Sequence, residues 1–240
     1  MRIDAEALLF DNDGTLLSSM ESVIRCWTRW AQEYGISAEE FAAVELHGRP
    51  AAEIVADLLP ADTVPGAVAR IEELEVEDVA GGVVILPGTA ELLASLSSPG
   101  LPASPGRTGE QAGEREGERG GAPMRWAVVT SASRRLAEAR LAEAGIHPAT
   151  LIAADDITRG KPDPEPFLLA ARRLGVDPAR CVVFEDAPAG LRAGRAAGMR
   201  TVALATTHDR SRLVADIVVE NLSAVSLQAT GGGVEIDTGD

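Results

Sequence analysis

The second half of the chain alternates short apolar runs with helical stretches, and this alternation restricts the fold to a parallel sheet covered by helices on both faces. Trp126–Val129, Leu151–Ala154, Cys181–Phe184, Thr201–Leu204 and Ile217–Val219 read as strands. Ser133–Ala144, Glu165–Leu174 and Ala189–Ala197 between them read as helices. A further strand is expected near the start, where Ala5–Phe10 forms an apolar run. The polar residues fall in register with these runs. Asp11 and Asp13 follow Phe10, Thr130 and Ser131 follow Val129, and Glu185 and Asp186 follow Phe184. Lys161 lies in the loop after the Leu151 strand. In a parallel sheet the carboxyl ends of the strands share one edge, so these distant residues are expected to converge there.

Asp11-Asn12-Asp13-Gly14-Thr15-Leu16 is the richest of the clusters. Two carboxylates at i and i+2, followed by a glycine turn, can share a metal and divide two tasks, one attacking and the other moving a proton. Asp, Asn and Gly are also ordinary turn residues. Thr130-Ser131 and Glu185-Asp186 could each be a helix cap. Capping alone leaves their common placement at strand ends unexplained. Oxygen ligands of this kind suit Mg²⁺ better than zinc. His47, His147 and His208 have no metal-binding spacing.

Among the 22 Lys and Arg residues, Lys161 is the only lysine. A chain that uses arginine elsewhere and keeps one lysine, within Gly160-Lys161-Pro162-Asp163-Pro164, points to a site where a compact ammonium fits and a planar fork does not. With Thr130 and exposed backbone N–H groups, it would make a phosphate cradle.

Residues 18–86 carry helical patterns over Glu21–Tyr34, Ala38–Leu46, Ala51–Leu59 and Val64–Leu74. They are expected to form a small helical domain, with its Trp residues in the core. Residues 99–123 contain four Pro and seven Gly among Glu and Arg, with one large aliphatic residue, and read as a disordered insertion. The tail 229–240 is expected to be loose. The net charge of −15 argues against nucleic acid or an anionic membrane as partner. The absence of a long apolar run, and Asp4 and Glu6 near the start, point to a cytoplasmic protein. Cys26 and Cys181 sit in apolar patterns and read as buried free thiols.

With these motifs in place, the chain resembles the haloacid dehalogenase-like hydrolases. The resemblance rests on Asp11-x-Asp13-Gly14-Thr15, Thr130-Ser131, Gly160-Lys161-Pro162 and Glu185-Asp186-Ala187-Pro188-Ala189-Gly190, in that order. Leu46-His47-Gly48-Arg49, Trp126–Ser131 and Phe184–Gly190 are similar to the sugar- and polyol-phosphate phosphatases of that family, which include 2-deoxyglucose-6-phosphate and glycerol-phosphate phosphatases. The implied fold is α/β, a Rossmann-like parallel sheet core (1–17 and 87–228) with a helical cap (18–86) inserted after the first strand. The implied reaction is hydrolysis of a small phosphate monoester. Asp11 would be the nucleophile that forms an aspartyl-phosphate, and Asp13 the acid and base. Mg²⁺ would sit on the Asp11 carboxylate, the Asp13 backbone carbonyl and Asp186, with Glu185 in or beside the shell. Thr130, Ser131 and Lys161 would hold the phosphoryl group, and His47 and Arg49 would reach the substrate from the cap. A monomer or weak dimer is expected.

Asn12 stands where the family often has a hydrophobic residue, and Ser18 where many relatives carry Asp at the cap hinge. Two alternatives accompany this reading. One is a phosphomutase of the β-phosphoglucomutase type, although Val23 stands where those enzymes place a His. The other is a non-catalytic acidic binding protein.

Overall fold

The computed structural model describes residues 2–44, 46, 49–96, 124–230 and 233–238. The expected insertion 99–123 lies outside the described residues, as does His47.

In chain order the elements begin with β1 (Arg2–Ala5), β2 (Ala7–Phe10) and β3 (Leu17–Ser18). Four helices follow: α1 (Met20–Glu33), α2 (Ala38–Ala42), α3 (Ala51–Leu58) and α4 (Val64–Glu77). Then come β4 (Val84–Ile85), α5 (Thr89–Leu96), β5 (Arg125–Val129), α6 (Arg134–Glu143) and β6 (Leu151–Ile152). The chain continues through α7 (Glu165–Leu174), β7 (Cys181–Glu185), α8 (Pro188–Ala196), β8 (Arg200–Leu204) and β9 (Ile217–Val219). It ends with β10 (Ser226–Thr230) and β11 (Gly233–Asp237).

Six strands form one parallel sheet in the order β6-β5-β2-β7-β8-β9. Successive side chains of each strand enter opposite layers. Leu8 and Phe10 of β2 join Val128, Val182 and Phe184 on one face, with Leu92 and Leu96 of α5. Ala7 and Leu9 join Ala127, Val129 and Val183 on the other, under Phe167 and Ala170 of α7 and Ala193 of α8. Burial on both faces explains why these strands read as unbroken apolar runs rather than as alternating ones. Phe10 and Phe184 stack with ring centroids 4.8 Å apart, directly beneath the site.

Helices α1, α3 and α4 share a separate apolar cluster built on Trp27, Trp30, Ile54, Val55 and Ile71. Trp30 donates its indole N–H to the Ala67 carbonyl at 2.9 Å, so both tryptophans of α1 serve the core, as expected. The chain enters this helical unit through β3 and leaves it through β4, which pair antiparallel as a two-stranded ribbon. Cys26 and Cys181 are free and buried, and burial pushes the Cys181 thiol up to about 12. No described helix is long and apolar enough to cross a membrane.

The structure departs from the expected elements in three places. The run Ala5–Phe10 is not one strand. It breaks at Glu6, whose carboxylate pairs with Arg180 at 2.7 Å, and β1 belongs to a different sheet. Helix α2 stops at Ala42, four residues before the expected Leu46. The tail, expected to be loose over 229–240, instead carries β11, which pairs antiparallel with both β10 and β1. Val234 and Ile236 are fully buried in the same cluster as Leu8 and Phe10, while Glu235 and Asp237 of β11 pair with Arg2. That alternation is a half-buried strand, masked in the sequence by the run Gly231-Gly232-Gly233 beside it.

Burial of this kind makes the tail part of the core. Ile236→Ala is expected to lower unfolding stability by about 2–4 kcal/mol in urea denaturation. A loss below about 0.5 kcal/mol, the level of an ordinary surface change, would show that β11 contributes little.

Candidate active site

The strand ends bring together four of the groups expected there. The Asp11 amide continues the β2–β7 ladder by donating to the Phe184 carbonyl at 2.9 Å, which sets the two acidic strand ends side by side. Lys161 extends beneath them. Its ammonium donates to Asp11 Oδ1 at 2.5 Å, to Glu185 Oε1 at 2.7 Å and to the Val129 carbonyl at 2.9 Å. An ammonium has three N–H donors, and these three acceptors account for all of them.

The carboxylates of Asp11, Glu185 and Asp186 offer oxygens that all lie within 4.8 Å of one another. All three residues are buried. Burial pushes the Asp11 carboxyl well above the usual carboxylate range, with Lys161 opposing the rise and Glu185 and Asp186 adding to it. Burial raises Glu185 in the same way. It pulls the Lys161 ammonium down, but Asp11 and Glu185 outweigh it and the pKa ends above its ordinary value. Ionised, the cluster would hold more negative charge than one ammonium balances. Three carboxylates against one cation leave two charges, which a divalent metal ion would match.

Close approach explains two of the glycines. Gly14 sits at φ +90°, and a Cβ there would overlap the Asp186 carboxylate. A Cβ at Gly190 would overlap Glu185 Oε1.

Helix capping does not account for these acids. The residue capping α8 is Ala187, without a side-chain cap, and α6 is capped by Ser133, whose hydroxyl accepts from the Leu136 amide. Glu185 Oε2 accepts from the Ala187 amide at 2.9 Å, which fixes the carboxylate between that amide and Lys161.

Asp13 faces a different set of partners. Its Oδ1 accepts from Ser19 Oγ at 2.6 Å and from Arg140 Nη1 at 3.1 Å. Its Oδ2 accepts from Asn12 Nδ2 at 3.2 Å. The departure at Asn12 thus places a side-chain amide on the second carboxylate of the motif. The Asp13 side chain stands outside the three-carboxylate cluster, so a metal contact there would fall to its backbone carbonyl.

A cavity of about 150 Å³ opens over these groups, between the strand ends and the helical unit. Asp11, Asp13, Thr130, Ser131, Lys161 and Asp186 line its floor. Val23, Trp27, Ile54 and Val68 line its roof, together with Glu72 and Glu75 of α4. Arg49 also lines it, but its guanidinium pairs with Asp57 at 2.8 Å and with Glu53 at 3.9 Å, both on α3. Thr130 Oγ1 accepts from the Ala132 amide at 3.1 Å, which orients the hydroxyl at the mouth of β5.

Four site residues were absent from the sequence reading: Ser19, Glu75, Arg140 and Thr207. Thr207 donates to Asp186 from the loop after β8, and its neighbour Thr206 donates to the Gly14 carbonyl. The polar run Thr206-Thr207 after the apolar end of β8 was a usable signal, of the same form as the other strand-end clusters.

The chain belongs to the haloacid dehalogenase-like hydrolases, which it matches over residues 5–198. It is 33% identical to hexitol phosphatase A of Escherichia coli (strain K12), an alignment covering 95% of this chain and 96% of that one. It is 32% identical to 2-deoxyglucose-6-phosphate phosphatase 1 of Saccharomyces cerevisiae, over 93% of this chain and 90% of that one. Among solved structures, CbbY from Rhodobacter sphaeroides in complex with phosphate superposes with a TM-score of 0.71 at 28% identity, covering 91% of this chain and 95% of that one.

Three acceptors that converge on Lys161, itself 6% exposed to solvent, suit a tetrahedral ammonium and not a planar fork. Lys161→Arg is expected to lower hydrolytic kcat/KM by about a hundredfold, since a misplacement of about 1 Å costs that much. Steady-state kinetics beside a circular dichroism spectrum check it. Near-wild-type kinetics would show that this geometry is not required.

Proposed function

We propose that the protein is a Mg²⁺-dependent phosphatase that hydrolyses a small sugar or polyol phosphate through an aspartyl-phosphate on Asp11. The observation that carries this reading is the buried Asp11 carboxylate, held by Lys161 beside Glu185 and Asp186 and open to the cavity.

Asp11 attacks phosphorus in line through a carboxylate oxygen, and the bond to the leaving alkoxide breaks. Asp13 gives that alkoxide a proton. It then takes one from the water that hydrolyses the aspartyl-phosphate, which regenerates both carboxyl groups. Thr130 holds a phosphoryl oxygen, and the Lys161 ammonium beside Asp11 offsets the charge that develops there. Glu185 keeps Lys161 in place, because its two oxygens already serve the ammonium and the Ala187 amide. Asp11 and Asp186 would hold Mg²⁺ through their carboxylates, and the ion would supply charge neutralisation at the phosphoryl oxygens.

The roof of the cavity supports a hydroxyl-rich leaving group. Glu72 is an acceptor for hydroxyl donors, while apolar Val23, Trp27 and Ile54 suit the carbon skeleton. The named activities of the two phosphatase relatives support the same substrate class. Val23 lines the cavity and carries no group able to shuttle a proton, which favours hydrolysis over a mutase reaction.

The test is phosphate release from a panel of sugar, polyol and nucleotide monophosphates, with and without Mg²⁺. Turnover is expected on hexose or hexitol phosphates, lost on chelation with EDTA and restored by Mg²⁺. Asp11→Asn is expected to cost at least about a thousandfold in kcat, as removal of a nucleophile does elsewhere. Metal-independent release, or an active Asp11→Asn enzyme, would overturn the mechanism. Turnover confined to nucleotides would overturn the substrate class.

A further inference from the structure

Arg140 is an arginine of the sheet unit that reaches two carboxylates at once. It lies on α6 and is 4% exposed. One end of its guanidinium donates to Asp13 Oδ1 at 3.1 Å, and the other to Glu75 Oε1 on α4, also at 3.1 Å. Glu75 is itself buried, and burial raises its carboxyl above the ordinary range against the pull of Arg140. Two further bonds run alongside between the same parts of the molecule. Ser133 Oγ, at the start of α6, donates to Glu72 Oε1 at 2.6 Å, one turn before Glu75 on the same face of α4. The Gly81 amide, beyond the end of α4, donates to Glu143 Oε1 at the end of α6 at 3.1 Å.

We propose that Arg140 is a positioning residue that couples the seating of α4 over the cavity to the orientation of Asp13. The proposal rests on the reading of Asp13 as the proton donor. A guanidinium is rigid and planar, so a fork engaged at both ends has no free rotation left. With Glu75 in place, Arg140 and Ser19 together fix Oδ1 of Asp13. Oδ2, which carries only the longer Asn12 contact, is then the oxygen that presents the proton to the leaving group. When α4 lifts, Glu75 goes with it and the fork loses one anchor. Asp13 is aligned for proton transfer only while the cavity is roofed and water is excluded.

The readout is how strongly the rate depends on the leaving group. An alkyl phosphate needs a proton from Asp13, whereas p-nitrophenyl phosphate releases a stable phenolate without one. The quantity kcat/KM reports this first phosphoryl transfer separately from the later hydrolysis of the aspartyl-phosphate. It is measured with Mg²⁺ present for Arg140→Lys, Glu75→Gln, the double variant and Asp13→Asn, together with melting temperatures.

Arg140→Lys and Glu75→Gln are each expected to lower kcat/KM on a hexitol phosphate by about ten- to a hundredfold, part of the range that general acid catalysis supplies. The loss on p-nitrophenyl phosphate is expected to stay within about threefold, and the double variant to lose no more than the worse single one, because the two residues act as one unit. Equal losses on both esters, or no loss, would overturn the coupling and leave a purely structural ion pair. If Arg140→Lys fails to fold, Glu75→Gln decides alone, since it removes a charge but keeps the shape. Asp13→Asn separates the two readings. If it shows no leaving-group dependence, the acid role of Asp13 is wrong. If it does and the other variants do not, only the coupling is wrong.

Discussion

The site depends on one buried ammonium. Lys161 lies where three acceptors from three different strand ends converge, from Asp11 after β2, Val129 at the end of β5 and Glu185 at the end of β7. Without it, Asp11, Glu185 and Asp186 would be three buried carboxylates facing one another, and neutralisation by protonation would be the cheaper outcome. The ammonium keeps the charged form accessible, but it does not complete the balance. The remaining negative charge would suit a divalent metal ion, and it gives Asp11, the proposed nucleophile, an environment that changes with its partners.

The sheet explains why the groups meet, and the helices explain what they can reach. Parallel strands buried on both faces put every carboxyl end on one edge, so the acids, the hydroxyl and the lysine assemble without any local sequence contact. The helical unit has its own apolar cluster and joins the sheet through the β3–β4 ribbon. Its packing therefore does not depend on the strand-end chemistry. What ties the two together is polar, with α4 carboxylates lying on the side chains of α6. Buried ion pairs contribute little net stability, because desolvation offsets most of their attraction, but their geometry is specific. They suit a contact that must be made in one orientation and also released.

How much of this was legible depended on whether the signal was local. Asp11, Thr130, Glu185 and Asp186 could be read because each follows an apolar run whose end is visible within a few residues. Lys161 stood out by composition. Arg140 and Glu75 could not be read: each sits within a helix, where a charged residue normally means a solvated face, and only tertiary packing pairs them. The third sheet was missed for a related reason. Its strands β1, β10 and β11 come from the two ends of the chain, and the run Gly231–Gly233 gave a loop signal beside the alternation of β11. Arg49 shows the opposite case. Its position at the cavity was legible, but the pairing with Asp57 that engages its charge was not.

The same kind of geometry explains the use of arginine at several positions. Arg70 spans Glu33 and Glu73, Arg134 spans Glu138 and Asp156, Arg159 spans Asp163 and Glu165, and Arg140 spans Asp13 and Glu75. In each case a planar cation with separated donors bridges two carboxylates, a task for which a point charge on a flexible stem is poorly shaped. At Lys161 the requirement is reversed. Its acceptors converge on a single nitrogen from three directions, and a fork would bring its second nitrogen into the space between Asp11 and Glu185. The one lysine thus marks the place where charge is concentrated at a point, and these four arginines mark places where it is spread between two partners.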